Sequence, residues 1–204
     1  MLPIVSPMRL SRRLKPFDSF DYLYEIKHDG FRALAYVENG KCRLVSRNGN
    51  RFHRFGELER WMGKQLKVEN AILDGEIACP DENGRSIFKN VLFRRGECRF
   101  FAFDLLWLDG EDLRGLPLLE RKARLKKLIG RKKSALLYVD HIEHQGRAVF
   151  EQACRLDLEG IVAKPKTAIY LADVKKPAWI KIKNPAYSQK EGRQELFEQL
   201  RALV

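Results

Sequence analysis

Tyr24-Glu25-Ile26-Lys27-His28-Asp29-Gly30-Phe31-Arg32 decides how this chain is read. Residues 23–27 alternate as a strand does, and 32–38 run apolar as a second strand. Side chains on a strand alternate between faces, so Glu25 and Lys27 point the same way. Asp29-Gly30 permits a tight turn, and Arg32 leads the strand that follows. A lysine at a strand end, facing inward beside other cations, can have its amine pKa lowered until it is a nucleophile near neutral pH. A surface lysine in an ordinary hairpin fits this stretch equally well, and Asp29 fits a purely turn-shaping part.

Working outward, Asn39-Gly40 marks a hairpin turn and 41–46 brings the chain back. Apolar residues at Phe55, Leu58, Trp61, Met62 and Leu66 predict a helix over 55–67. Strand 71–79 ends in the turn Pro80-Asp81-Glu82-Asn83-Gly84, and 87–93 reads as a short helix. The apolar stretch 98–108 reads as a buried strand closed by Asp109-Gly110. Pro117 opens a basic amphipathic helix to about Arg131. A strand over 136–142, a helix over 147–157 stopped by Gly160, and strands over 161–164 and 179–183 follow. Pro3, Pro7 and Pro16 make 1–20 an extended lead-in with at most one helical turn, and the polar tail 188–204 reads as helical. Strands and helices alternate irregularly with hairpins among them, which predicts an α+β fold with largely antiparallel sheets over 21–187.

Composition narrows the class. The chain of 204 residues is 45% hydrophobic and 32% charged, which suits a folded globular chain. No apolar run approaches the roughly 18 residues of a membrane span, and the N-terminal apolar stretch is too short for a signal peptide, so a cytoplasmic location and no membrane partner are expected. The formal charge of +12 favours a polyanionic partner through Coulomb steering and counterion release. Basic residues cluster at 9–15, 94–99, 121–133 and 164–183. The cluster at 121–133 suits the wet face of a helix as well as it suits nucleic acid. Cys42, Cys79, Cys98 and Cys154 are scattered without metal-ligand spacing, and are expected to be small buried thiols.

Further segments carry chemistry. Ser46-Arg47-Asn48-Gly49 puts an arginine before a turn, Asp74-Gly75-Glu76 ends a strand in a carboxylate, and Phe103-Asp104 lies inside the apolar strand. Glu159-Gly160-Ile161-Val162-Ala163-Lys164 and Trp179-Ile180-Lys181-Ile182-Lys183 complete the set. On a strand Lys181 and Lys183 aim the same way, and like charges side by side need an anion or solvent between them. A phosphate chain is such an anion. In this order, from about Pro7 to Lys183, the set resembles the covalent nucleotidyltransferase family of ATP-dependent DNA ligases, RNA ligases and mRNA capping enzymes, with wording most similar to bacterial end-joining ligase domains.

The resemblance implies two sheets with flanking helices around a nucleotide cleft, an ATP-grasp-like arrangement. It implies Lys27 as the residue that takes AMP from ATP and passes it to a DNA 5′-phosphate before the nick is sealed. Arg32 and Arg47 would contact ribose and phosphate or the nicked strand, and Glu76 the ribose or a metal-bound water. Phe103 would stack on adenine, Glu25 would lie beside the base, and Glu159 would help hold Mg²⁺ or Mn²⁺. Lys181 and Lys183 would neutralise the triphosphate, with Lys164 closing its motif. Taken singly, Phe103 also suits the core, Glu76 and Glu159 turn surfaces, Arg47 a turn cap, and Lys164 a basic stretch. The implied partner is nicked or broken double-stranded DNA. Roughly 20 residues follow Lys183, too few for the five-stranded OB-fold barrel that ligases carry there, so a separate protein supplying that domain is a further expected partner. An RNA ligase, a capping-type enzyme and a non-catalytic nucleotide- or DNA-binding module are the alternatives.

Overall fold

The computed structural model describes residues 2–93, 95–130, 135–172 and 174–190. Eleven strands and four α-helices follow in order: β1 (Ser11–Arg12), β2 (Ser19–Ile26), β3 (Phe31–Glu38), β4 (Lys41–Ser46), α1 (Gly56–Gln65), β5 (Asn70–Ala78), α2 (Phe88–Phe93), β6 (Arg99–Leu108), β7 (Glu111–Asp112), α3 (Leu118–Ile129), β8 (Leu136–Tyr138), β9 (His141–His144), α4 (Gly146–Arg155), β10 (Gly160–Pro165) and β11 (Ile180–Lys183). Among the described residues they build two sheets, one in the order β1-β11-β10-β2-β9 and one in the order β4-β3-β5-β6-β7, with β8 beside β6. Pairing is antiparallel except for β1 with β11 and β6 with β8, so the expected α+β class with largely antiparallel sheets holds. No helix among the described residues is long and apolar enough to cross a membrane.

The decisive stretch folds as its alternation demands. β2 and β3 lie in different sheets, and the Asp29-Gly30 turn carries the chain across. Gly30 is needed there, because a Cβ would sit 2.1 Å from the Ile77 carbonyl oxygen. Asn39 and Gly40 take the left-handed conformation, with φ of 50° and 71°, and close the β3–β4 hairpin as Asn-Gly pairs do. One apolar cluster, including Leu44, Met62, Leu73 and Phe100, lies under α1 and α3. A second fills the space between the sheets with Leu23, Leu34, Ile72, Leu106 and Trp179. A third, with Tyr24, Ala153, Ile161 and Ile182, seats α4 on the back of the first sheet. Each fully buried Leu or Phe in these clusters contributes about 1.5–3 kcal/mol.

Three expectations are corrected. The stretch read as one strand over 136–142 is two: β8 runs parallel to β6, and after Val139 and Asp140 β9 pairs with β2 in the other sheet. Alternating apolar residues cannot reveal such a change of sheet. The lead-in contributes strand β1 rather than a helical turn, pairing with β11 at Ser11 and Arg12. Of the four expected thiols, Cys79 and Cys98 form a disulfide, because the β5–β6 pairing brings their Cα atoms to 4.0 Å. Cys42 is a buried thiol whose pKa burial pushes up to about 12. The helical tail begins with a 3-10 turn at Ser188–Lys190, and its remainder lies outside the described residues.

Candidate active site

The first sheet sets the row of side chains. β10 lies between β2 and β11, with Val162 opposite both Glu25 and Lys181, and Gly160 opposite Lys183. The Lys27 amide donates to the Gly160 carbonyl at 2.9 Å, so Lys27 continues the same register. Gly160 has φ of 138°, and a Cβ there would sit 2.1 Å from the Ile182 carbonyl oxygen. The bare backbone between the two strands lets Lys27 and Lys183 close on one carboxylate. Lys27 Nζ lies 2.6 Å from Glu159 Oε2, and Lys183 Nζ lies 2.9 Å from Glu159 Oε1. Burial alone would raise the pKa of Glu159, but Lys27 and Lys183 more than offset it and hold the carboxyl low. Burial, together with Lys183 and Lys27, lowers the pKa of Lys181.

Deeper in the cleft the second sheet contributes Arg32, Glu76 and Phe103. Arg32 and Glu76 are direct cross-strand neighbours on β3 and β5. The Arg32 guanidinium donates to both oxygens of Asp74, at 3.1 and 2.7 Å, and to the Met8 carbonyl. Tyr170 adds a hydrogen bond to Asp74 at 2.6 Å. Burial raises the pKa of Glu76 to about 7, against the opposing pull of Lys27 and Arg32, and Glu159 adds to the rise. Glu25 is buried between Lys122 Nζ and Lys164 Nζ, each 2.5 Å from one of its oxygens. Lys164 Nζ also lies 4.3 Å from the centre of the Phe103 ring and 3.9 Å from that of Trp179. Burial lowers the pKa of Lys164 to about 8.

A small cavity of about 60 Å³ is lined by Glu25, Lys27, Arg32, Glu76, Phe103 and Lys164. That is the volume of roughly two waters, so Lys164 must leave the faces of Phe103 and Trp179 before a flat ring can enter. A wider cavity of about 390 Å³ adjoins Lys27, and His28, Phe101 and Tyr138 line it with Glu159. His28 stacks on Phe101 at 4.1 Å and contacts Ser86 Oγ at 3.2 Å, and burial lowers its pKa to about 4. Among the described residues no group of three or more His, Cys, Asp or Glu side chains could hold a metal ion. Glu76 and Glu159, near enough to act on one another's charge, fit a hard cation that takes most of its oxygens from phosphate and water.

Thus the structure gathers Lys27, Glu25, Arg32, Glu76, Phe103, Glu159, Lys164, Lys181 and Lys183 around one cleft. Arg47 stands apart, exposed on the turn after β4 and outside the lining of both cavities. Sequence reading passed over Lys122. The basic cluster at 121–133 fits an exposed face, against water or nucleic acid alike, yet Arg121 and Lys122 are 0% and 1% exposed. They lie with Leu118 and Leu125 at the i, i+3, i+4, i+7 positions of the buried stripe, a spacing that could have identified them. Arg121 pairs with Asp104 at 2.8 Å through both oxygens.

Two sheets enclosing a cleft in which a lysine faces a carboxylate and two further lysines define a nucleotidyltransferase-type domain. The chain belongs to the ATP dependent DNA ligase domain family, whose sequence model matches residues 4–183. It is 35% identical over 170 residues to the multifunctional non-homologous end joining protein LigD of Pseudomonas aeruginosa, covering 80% of this chain and 20% of that protein. It is 32% identical over 176 residues to a probable DNA ligase of Dictyoglomus turgidum, covering 78% of this chain and 30% of that protein. Its fold superposes on mycobacterial DNA ligase D complexed with ATP and MES with a TM-score of 0.78 and 26% identity, over 87% of this chain and 60% of that one. The chain therefore spans less than a third of the length of both curated relatives.

Proposed function

We propose that this domain is the adenylating module of an ATP-dependent DNA ligase acting in repair or end joining. The observation that carries the reading is Lys27 Nζ at the mouth of the base cavity, sharing Glu159 with Lys183. Lys27 Nζ, having given its extra proton to water at its partly exposed side chain, attacks the α-phosphorus of ATP. A P–N bond forms, the P–O bond to pyrophosphate breaks, and pyrophosphate leaves with the electron pair. Lys181 and Lys183 supply fixed positive charge to the leaving phosphates, the kind of preorganised electrostatics that lowers such barriers most. Phe103 and Trp179 would offer the base aromatic surface, Glu25 would lie beside its edge, and Glu76 would meet the ribose.

Glu76 and Glu159 would hold Mg²⁺ or Mn²⁺, which when bound neutralises phosphate charge. In the following steps AMP passes to the 5′-phosphate of nicked or broken double-stranded DNA, and a neighbouring 3′-hydroxyl displaces it. Arg32 and Arg47 would meet ribose, phosphate or the nicked strand, and a further domain or separate protein would supply the OB-fold function. Such a module works in the bacterial cytosol, at the nucleoid when bound to DNA.

Incubation with α-labelled ATP and Mg²⁺, followed by intact-mass analysis, tests the reading. Wild type gains the mass of AMP and Lys27→Ala does not. If wild type gains nothing, and pre-adenylated nicks also stay open when it is added, the enzymatic reading fails and a binding module takes its place.

A further inference from the structure

Lys122 is a cation where helix packing calls for leucine. It shares the buried stripe of α3 with Leu118 and Leu125 and is 1% exposed. Its Nζ lies 2.5 Å from Glu25 Oε1, donates to the Val139 carbonyl at 3.0 Å, and sits 4.5 Å from the centre of the Tyr138 ring. Lys164 grips the other oxygen of Glu25 from β10. Two ammonium groups on one carboxylate leave an excess positive charge in the interior, and taking charges out of water in this way is costly. An apolar residue at 122 would pack at lower cost. The arrangement therefore needs a reason beyond packing, and Glu25 faces the small cavity together with Phe103 and Trp179.

A carboxylate has about four lone-pair positions and no donor. With Lys122 hydrogen-bonded to Oε1 and Lys164 ion-paired at Oε2, Glu25 is held in place, and what it still presents to the cavity is acceptor only. We propose that Lys122 is a positioning residue for base selection: it fixes Glu25 so that the cleft accepts the amino group of a 6-aminopurine and repels the oxygen of a 6-oxopurine. Without Lys122, Glu25 has Lys164 as its one remaining cation and moves with it, which lets the Lys164 ammonium, a donor, reach a 6-oxo group. This inference rests on the adenylation reading above and deepens it.

The test measures formation of the Lys27 nucleotidyl adduct by the full chain with ATP, GTP and inosine triphosphate, for wild type, Lys122→Met and Lys122→Arg. Thermal unfolding corrects each rate for the folded fraction. Losing one charged hydrogen bond to the selecting group should raise KM for ATP about tenfold and lower the preference for ATP over inosine triphosphate about tenfold, with kcat within about threefold. Lys122→Arg keeps the charge and should lose only about threefold of that preference. If Lys122→Met does not fold, Lys122→Arg carries the test alone, with its expected loss of about threefold in that preference. A preference unchanged in the folded variants, with all three nucleotides slowed in proportion, makes Lys122 merely structural and overturns the inference. If wild type forms no adduct and binds none of the three, the adenylation reading itself falls and takes this one with it.

Discussion

The two ends of the cleft, one proposed to take the base and the other the phosphates, solve different electrostatic problems. At the base end Glu25, Lys122, Lys164, Arg32 and Asp74 are paired with one another, with Tyr170 capping Asp74, and the free volume is about 60 Å³. At the phosphate end Lys27, Lys181 and Lys183 gather near Glu159, and Lys183 keeps 44% of its side chain exposed. The base end holds its charges in buried pairs, with one ammonium in excess, so they act by fixing geometry. The phosphate end carries a larger and partly solvated surplus of positive charge, suited to attracting an anion. A buried pair broken on one side leaves an uncompensated charge, whereas a solvated lysine loses little when its partner goes.

That contrast can be broken most directly by its largest expected effect. Asp74→Ala strands Arg32 in the interior and should cost about 3–5 kcal/mol of stability in urea unfolding. A loss below about 1 kcal/mol would mean that water relieves the base end as it does the surface. Lys183→Ala should do the reverse, changing stability by less than about 1 kcal/mol while weakening ATP use about tenfold. Adduct-formation kinetics and the same unfolding experiment separate the two effects.

The pH dependence of stability sharpens the comparison where the ends meet. Glu76, raised to about 7 by burial, stays protonated when folded at pH values where the unfolded chain has lost that proton. Its contribution to stability therefore falls as pH rises from about 4.5 to about 7. His28, lowered to about 4 by burial, is neutral when folded where the unfolded chain is charged, so its contribution rises between about 4 and 6.5. The two oppose one another in the wild type. Glu76→Gln should leave a rise, and His28→Leu a fall, of up to about 1 kcal/mol per pH unit. Profiles that tilt the same way in both variants would refute this assignment. The smallest effect belongs to Arg47, which lies outside both cavities. Arg47→Ala should change adduct formation by less than about twofold while weakening sealing of nicked DNA, and a large loss in the first step would bring Arg47 into the cleft.

Much of this was legible in the residue order. Period-two alternation located Glu25, Lys27, Lys181 and Lys183, and the turn residues Asp29-Gly30 and Asn39-Gly40 marked where the chain reverses. What was missed depends on contacts between distant segments. Lys122 reaches Glu25 across 97 positions of sequence, and Tyr170 reaches Asp74 across 96. The Cys79–Cys98 bridge follows from β5 pairing with β6, which cysteine spacing does not encode. Strand patterning over 136–142 was correct about extension and silent about which sheet each half joins.

The crossing at Val139 and Asp140 has a mechanical meaning. Here the chain steps from one sheet to the other, and Lys122 ties the Val139 carbonyl to Glu25 at that step. The tie acts as a rivet: gaping of the cleft along this edge would pull a buried ammonium from both of its anchors. The wider cavity beside Lys27 has Tyr138, Val139 and Asp140 in its wall, so the rivet fixes one side of that cavity in place.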